Sequence, residues 1–332
     1  MKLHWQIVKL QLKEAFSISY GTYTFREALI ISISKNNIVG YGECTAIDYY
    51  AIDLKFFQLK LEYFQTLIEK QTIKHPTEFY IFLETLNLHS FLRSALDCAY
   101  WDLYGKLERK SFLALNSYSY KKAPDSSITI SVDTLEKQLE KIKNSDWNNF
   151  KVKCASYTED AIHKLLDLEK NIALDANCSF TVSDCKLLEN ASLARKFSYI
   201  EQPLNIGLDN FSNLNANKSV NWMADEDCQD LDSLALLQTH YTSINLKLVK
   251  VGGLTPALKM IESAKTLNFK IMIGCMTEST IGISAGIVLT PFADFIDLDG
   301  ANLISNDLAN GSSIDKGKVI IKEAYGLGIS IK

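Results

Sequence analysis

Eight short apolar runs follow one another in the second part of the chain, and each is followed by a stretch that is compatible with a helix. The runs begin at positions 126, 150, 171, 198, 221, 243, 269 and 294, which leaves room for one strand, one helix and two short loops in each unit. An open doubly wound sheet also alternates strands and helices, but the glycine-rich fingerprint expected after its first strand is missing. Eight such units in series therefore predict a (β/α)8 TIM barrel.

The residues before these runs have a different pattern. Strand-like segments at residues 3–12, 28–34 and 38–43 predict an antiparallel meander. Apolar residues at helical spacing predict a helix over residues 91–106. We therefore predict an α/β chain with three parts. These are an N-terminal α+β domain (1–120), a barrel (121–305) and a C-terminal segment (306–332) that returns to the N-terminal domain.

Charge and composition narrow the class of function. The formal net charge is -4 and no long basic run is present, so nucleic acid is not an expected partner. No window approaches the ~18 consecutive apolar residues of a membrane span, and the first residues lack the features of a signal peptide. The seven cysteines are scattered without a CxxC pair, which suits a reducing compartment. We expect a soluble cytoplasmic protein that binds a small molecule, and a homo-oligomer would be compatible with the sequence.

Three carboxylates stand at the ends of three consecutive apolar runs. Asp175 ends the third run, Glu201 lies in the fourth, and Asp225 follows the fifth. Active sites of such barrels lie at the C-terminal ends of the strands, where these side chains would converge and repel one another unless a cation joins them. An all-oxygen ligand set favours a hard ion, Mg²⁺ before Mn²⁺ or Ca²⁺, at one open site per subunit.

Lysines occupy two further strands of the predicted barrel. Lys151 and Lys153 lie two residues apart, so both point to the same face of the second strand, and Lys247 lies on the sixth strand, across the barrel. Burial and mutual repulsion would lower the pKa of one lysine of the pair and make it a base near neutral pH. A base on each face of one carbon is what inversion at that carbon requires. Lys250 is expected to point away from the site and to have a structural role or to support the residues that line it.

These motifs together resemble the enolase superfamily, in its muconate-lactonising subgroup and most closely its L-Ala-D/L-Glu epimerases. The segments that carry the resemblance are GYGECT at 40–45, RSALDCAYWDL at 93–103, and KVK, DAN, IEQP, ADED and NLKLVKVGGLT at successive strand ends. The resemblance implies an N-terminal capping domain over a modified barrel. It also implies Mg²⁺ on Asp175, Glu201 and Asp225, acid and base roles for Lys153 and Lys247, and a supporting role for Lys151.

The resemblance also implies a substrate site. The segment GCMTES, which contains Met276, is similar to the corresponding segment of dipeptide epimerases, and Asp297 with Asp299 resembles their motif for a free ammonium group. A loop at 17–26, with Tyr20 and the cation Arg26, would cover the second side chain of the substrate. The implied activity is inversion of the α-carbon of the C-terminal residue of a dipeptide by two-lysine proton transfer through a metal-stabilised enolate. L-Ala-D/L-Glu from cell-wall peptide recycling is the implied substrate.

Other functions stay open at this point. The enzyme could epimerise a different dipeptide, apolar or D-Ala-containing, recognised by aromatic residues of the same loop. It could instead act on a diacid, as an o-succinylbenzoate synthase or cycloisomerase does with the same enolate chemistry. A barrel that only binds its ligand, or one that forms a Schiff base on a lysine, would not need three metal carboxylates.

Overall fold

An antiparallel sheet forms the N-terminal part of the chain, in a computed structural model that describes residues 1–18, 21–119, 122–216 and 220–332. Its strands, in the order β1-β2-β3, are β1 (Lys2–Ile18), β2 (Gly21–Lys35) and β3 (Ile38–Thr45). The helices that follow are α1 (Leu54–Glu69), α2 (Pro76–Thr85), α3 (Ser90–Glu108) and the short α4 (Phe112–Leu115). The predicted meander and the predicted helix are therefore present, with the strands longer than the sequence pattern indicated.

Helix α3 packs directly on β3 because two glycines of that strand carry no side chain. A Cβ atom at Gly42 would lie 2.0 Å from the carbonyl oxygen of Ala95, and one at Gly40 would lie 2.2 Å from that of Ala99. Such distances are sterically forbidden, so any larger residue would push the helix off the sheet. The close approach buries most of α3 between the sheet and the rest of the molecule.

Eight parallel strands form the second sheet, and they confirm the predicted barrel. Consecutive strands along the chain are neighbours throughout, and a bridge between Ser126 and Ile296 joins the first strand region to the last. The strands are β4 (Ile128–Ile130), β5 (Asn149–Lys153), β6 (Asn171–Asp175), β7 (Ile200–Glu201), β8 (Trp222–Ala224), β9 (Ser243–Lys247), β10 (Lys270–Gly274) and β11 (Phe295–Asp297).

Helices connect these strands, and several of them are short. They are α5 (Leu135–Lys143), α6 (Glu159–Leu166), α7 (Val182–Asn190), α8 (Leu208–Phe211), α9 (Ser233–Leu237), α10 (Leu248–Val251), α11 (Leu254–Thr266) and α12 (Thr280–Ile287). Helix α10 begins at the residue after the end of β9, so the chain turns there without a loop. No helix in the described part of the chain is long and apolar enough to cross a membrane.

An apolar layer fills the interior of the barrel. Its members are Ala173, Tyr199, Met223 and Met272, with Phe295 packed against them. Side chains alternate along a strand with a period of two, so the residue two positions further on points into the barrel again, one layer higher. Those positions are 175, 201, 225, 274 and 297, of which four carry carboxylates.

The C-terminal segment forms two small antiparallel pairs and then contacts α3. Its strands are β12 (Ala309–Asn310), β13 (Ser313–Asp315), β14 (Lys318–Ile320) and β15 (Ser330–Ile331), with β12 paired to β15 and β13 to β14. The amide of Leu327 donates to Asp102 at 2.8 Å, and the ammonium group of Lys106 donates to the carbonyl of Ile329 at 2.8 Å. The domain boundaries at 120/121 and 305/306 stay a prediction.

One buried carboxylate joins α3 to the barrel. Asp97 accepts hydrogen bonds from the backbone amide and from the hydroxyl of Thr255 on α11, each at 2.8 Å. The same hydroxyl accepts a hydrogen bond from the indole of Trp101 at 2.9 Å. All three side chains are buried, so the contact is closed to water.

We expect Asp97→Ala to lower the free energy of unfolding by about 2–3 kcal/mol, because it leaves buried donors of Thr255 without an acceptor. A melting temperature lower by ~5 °C or more, followed by circular dichroism, would be the corresponding measurement. Asp146→Ala is the matched control, since it removes only an exposed ion pair with Lys316 and should leave the melting temperature unchanged. Equal melting temperatures of Asp97→Ala and wild type would contradict the assignment.

Candidate active site

A layer of charged side chains covers the apolar layer at the C-terminal ends of the strands. Lys153 pairs in register with Asp175, and Asp175 with Glu201. Asp225 directly follows β8, and Lys247 ends β9. Because β5 and β9 lie four strands apart in a ring of eight, Lys153 and Lys247 approach the same space from opposite sides. Both ammonium groups line one pocket under the N-terminal domain.

Asp175 lies between two lysines. The ammonium group of Lys153 is 2.5 Å from Asp175 Oδ2 and donates to Asn177 Oδ1 at 2.8 Å. Lys151 Nζ is 3.5 Å from the same carboxylate oxygen of Asp175. Burial alone would raise the pKa of Asp175, but the positive charges of Lys153 and Lys151 outweigh it and hold this pKa below its usual range.

Asp225 is held by two ammonium groups as well. Lys247 Nζ lies 2.6 Å from Asp225 Oδ2, and Lys250 Nζ lies 2.5 Å from Oδ1 and 2.6 Å from the backbone carbonyl of Asp225. Burial opposes ionisation here too, yet the charges of Lys247 and Lys250 hold the pKa of Asp225 well below its usual range. The expected direction of Lys250 is therefore wrong, because its ammonium group contacts a carboxylate of the charged layer, whereas a structural or supporting role agrees with this contact.

Glu201 has the least complete set of partners of the three carboxylates. Its Oε1 accepts a hydrogen bond from the amide of Asn245 at 2.7 Å. Its Oε2 is buried and accepts none, although Lys151 Nζ lies 3.4 Å away at an unfavourable angle. Burial, and then the negative charge of Asp175, raise the pKa of Glu201 to about 8. A buried carboxylate oxygen without a donor is costly, and a cation would relieve that cost.

The donor set fits a hard divalent cation. Asp175, Glu201 and Asp225 are all fully buried, and Oε2 of Glu201 accepts no hydrogen bond. In the present arrangement ammonium groups contact these carboxylates, and among the described residues no three acidic, His or Cys side chains converge closely enough to hold a metal ion by themselves. Binding of a cation would therefore require the lysine side chains to withdraw from the carboxylates, a movement that long unbranched side chains can make.

The pKa values of the lysines correct one expectation from the sequence. Burial would lower the pKa of Lys151, but the charges of Asp297, Glu201 and Asp175 raise it well above its usual value. The pKa of Lys247 is also raised, because the charge of Asp225 outweighs burial and the repulsion of Lys151. The prediction of a lowered pKa from two neighbouring lysines is wrong for Lys151, since it left out the carboxylates around it.

A second pair of carboxylates lies at the end of β11. Asp297 contacts the ammonium group of Lys151 and accepts a hydrogen bond from the hydroxyl of Ser127 at 3.0 Å. Asp299 accepts a hydrogen bond from the backbone amide of Thr129 at 2.6 Å. Burial, and then the charge of Asp297, raise the pKa of Asp299 to about 7. Two buried carboxylates so close together favour a cationic group beside them.

The N-terminal domain supplies the opposite wall of the pocket. Arg26 lines it together with Tyr23 and Tyr49, and Met276 lines it from the loop after β10. The guanidinium of Arg26 donates to the carbonyl of Ala46 at 3.1 Å and lies over the ring of Tyr23. Tyr20 lies outside the described residues.

The pocket thus brings together the three lysines, Asp297, Asp299, Arg26 and Met276, with the carboxylates of residues 175, 201 and 225 beneath them. Sequence reasoning missed Asn177, Asn245 and Thr129, which position Lys153, Glu201 and Asp299 by hydrogen bonds. Their positions at or next to barrel strands were the only signal. It is a weak one, because many strand residues are polar.

Comparisons with known proteins identify the family. Residues 134–332 match the family described as "Enolase C-terminal domain-like". The chain is 34% identical to the L-Ala-D/L-amino acid epimerase of Maribacter sp., over 100% of this chain and 99% of that protein.

Two solved structures are also similar to this chain. One is an enolase family member from Agrobacterium tumefaciens with homology to dipeptide epimerases, solved with bound sodium and L-Ala-L-Glu. It is 26% identical, with a TM-score of 0.84 over 97% of this chain and 98% of that chain. The other is the dipeptide epimerase of Enterococcus faecalis, solved with Mg and L-Leu-L-Tyr. It is also 26% identical, with a TM-score of 0.86 over 99% of both chains.

The chain therefore belongs to the enolase superfamily, in the group that contains the dipeptide epimerases. It is an isomerase of the epimerase class, and the resemblance indicated by the sequence motifs is confirmed.

We expect Glu201→Gln to weaken the binding of Mg²⁺ at least about tenfold, because it removes the charge of the carboxylate that has an unpartnered oxygen. Isothermal titration calorimetry with Mg²⁺ alone would measure this without any substrate. Asp97→Asn is the matched control, since it neutralises another buried carboxylate, one that contacts Thr255 outside the charged layer. Equal loss of affinity in both variants would show that net charge, and not Glu201 itself, determines binding.

Proposed function

We propose that this protein is a Mg²⁺-dependent dipeptide epimerase that inverts the α-carbon of the C-terminal residue, with L-Ala-D/L-Glu as its substrate. The observation that carries the proposal is the pair of lysines, Lys153 and Lys247, on opposite strands of one pocket above three buried carboxylates. Proton transfer on both faces of one carbon needs a base on each side, and this arrangement supplies it. The relatives named for epimerisation of L-Ala-containing dipeptides support the same reaction class.

The charged residues can orient a dipeptide by its two ends. The ammonium group of the substrate would lie on Asp297 and Asp299, and its carboxylate would lie near Lys151. In this position the α-carbon of the second residue stands between Lys153 and Lys247. Lys151 now contacts Asp297, so a zwitterionic substrate would replace one ion pair by two and leave no buried charge without a partner.

Proton transfer then follows from the positions of the two lysines. One of them, with a neutral Nζ, removes the α-proton, and the other, as an ammonium group, delivers a proton to the opposite face. Mg²⁺ bound by Asp175, Glu201 and Asp225 would supply positive charge that stabilises the second negative charge on the substrate carboxylate. The capping domain forms one wall of the pocket, which reduces the contact of these groups with bulk water and strengthens each of these charge interactions.

Arg26 supports a glutamate as the second residue. Its side chain is 7% exposed, its Nε has no hydrogen-bond partner, and among the described residues it forms no ion pair with a carboxylate within 4.0 Å. Burial lowers the pKa of this guanidinium by more than Tyr23 and the charge of Asp48 raise it, so its charge is only partly compensated by its surroundings. An anionic side chain of the substrate would provide the missing partner. The enolase family member from Agrobacterium tumefaciens was solved with L-Ala-L-Glu, which agrees with this choice.

The first test is proton NMR of L-Ala-L-Glu in D2O with Mg²⁺, which follows loss of the glutamate α-proton and appearance of the other diastereomer. Lys153→Ala and Lys247→Ala should each lower epimerisation at least about 10³-fold. Each variant should still exchange the α-proton of one diastereomer, and the two variants should retain opposite diastereomers, because each keeps the base on one face.

The control for this test is Lys164→Ala, which removes an exposed lysine of α6 and should leave the rate unchanged. If the wild-type protein exchanged the α-proton of no dipeptide, the proposal would be contradicted. Diacids and elimination reactions would then be examined next. Exchange only with dipeptides of apolar second residues would keep the epimerase and exclude glutamate.

We expect Arg26→Met to lower kcat/KM for L-Ala-L-Glu about 10- to 100-fold, because it removes the charged partner of the glutamate side chain. L-Ala-L-Gln serves as the control substrate within the same protein. It has nearly the same shape without the charge, so its kcat/KM should change only a few-fold. An equal loss for both dipeptides would mean that Arg26 acts through the structure of the pocket and does not recognise the carboxylate.

A further inference from the structure

A second cavity adjoins the candidate active site under the N-terminal hairpin. It is lined by Leu12, Ala15 and Phe16 of β1 and by Ile128 and Ile130 of β4. Its free volume is about 270 Å³, compared with about 70 Å³ in the pocket that contains the lysines. The two cavities share Phe16, Thr129 and Leu303 in their walls, so they are adjacent.

An irregularity in β1 creates this space. Gln11 pairs with Phe25 and Phe16 pairs with Tyr23, so the four residues between Gln11 and Phe16 stand opposite a single residue of β2. The extra residues bulge away from β2 towards the barrel, where Leu12 forms a bridge with Ile304. A regular hairpin would not leave a segment of chain free to form a wall beside β4.

The cavity lies next to the expected position of the substrate's first residue. Asp299 accepts a hydrogen bond from the amide of Thr129, and Thr129 belongs to the wall that separates the two cavities. If the proposed function is right, the substrate ammonium group is bound by Asp297 and Asp299. The first α-carbon is one bond from that ammonium group, so its side chain starts at the shared wall.

We propose that this second cavity is a subsite for the side chain of the first residue of the dipeptide, and that it binds extended aliphatic side chains such as those of leucine and methionine. The wall shared with the active site consists of two half-buried apolar residues, Phe16 and Leu303, and of Thr129, and the buried Ile130 continues the apolar surface in the second cavity. The charged residues of the lining are Lys13, Glu14 and Lys141, all of which are exposed, and Glu14 and Lys141 form an ion pair at 2.8 Å. Binding of an apolar side chain to such a surface is favourable, because both lose contact with water. The inner part of the cavity contains no charged group that would bind an acidic side chain.

The test compares L-Leu-L-Glu and L-Met-L-Glu with L-Ala-L-Glu in the wild-type protein and in Ala15→Trp, by the same proton NMR measurement with Mg²⁺. Ala15 is exposed and lines only the second cavity, so a tryptophan there fills the cavity without touching the lysines. In the wild-type protein the longer side chains should keep kcat/KM within about tenfold of L-Ala-L-Glu. In Ala15→Trp their kcat/KM should fall by about tenfold or more while that of L-Ala-L-Glu stays within about twofold.

The matched control is Thr24→Trp, which adds the same bulk at an exposed position of β2 that lines neither cavity. It should leave the ratio of the two substrates unchanged. Turnover of L-Ala-L-Glu with rejection of L-Leu-L-Glu by more than about 100-fold in wild type would overturn the subsite and leave the proposed function standing. An unchanged ratio in Ala15→Trp would do the same. No turnover of any of these dipeptides would overturn the proposed function and the subsite with it.

Discussion

The structure of the site depends on the mutual compensation of charges that are buried at the mouth of the barrel. An isolated carboxylate or ammonium group at such depth would cost several kcal/mol, so none of these side chains could be kept alone. Asp175 and Asp225 stay ionised because each has two lysines nearby, and Lys151 stays protonated because carboxylates surround it. The set is therefore interdependent. Removing one charge exposes its neighbours to an uncompensated field, which explains why several lysines and several acids occur together.

Buried carboxylates also attach the capping domain to the barrel. Two buried carboxylates of the N-terminal domain accept backbone hydrogen bonds at the start of barrel helices. Asp97 binds the amide of Thr255 on α11, and Glu43 binds the amide of Ser279 at 2.9 Å and that of Gly282 at 3.1 Å, at the start of α12. Helix N-termini favour negative charge, so these contacts are directional as well as buried. One wall of the pocket belongs to the capping domain and the other to the barrel. These hydrogen bonds hold the two walls at a defined distance.

The residues on the barrel strands could be predicted from the sequence because the period of two and the order of the runs determine them. Asp175, Glu201 and Lys153 needed no more than that. Lys250 could not be predicted, because α10 begins immediately after β9 and turns the chain, so that the alternation of a strand no longer applies. The protonation of Lys151 depends on carboxylates from three other strands. The second cavity depends on a bulge in β1 that the sequence of this strand does not predict. What failed were properties that arise from several segments at once.

Asp227 is a further acidic residue close to the charged layer, but its hydrogen bonds keep it apart from the lysines. Its carboxylate accepts hydrogen bonds from Gln202, the hydroxyl of Tyr241 and the backbone amide of Gly207, each at 2.8 Å, so it is satisfied away from the lysines. The lysines of the proposed reaction are thus fixed by strand register, whereas Arg26 and the bulged segment belong to a hairpin outside the register of the barrel strands. Changes in that hairpin can alter which side chains fit while Lys153 and Lys247 remain in place. A fold with this division would keep the proposed proton transfer while its substrates changed through the capping domain.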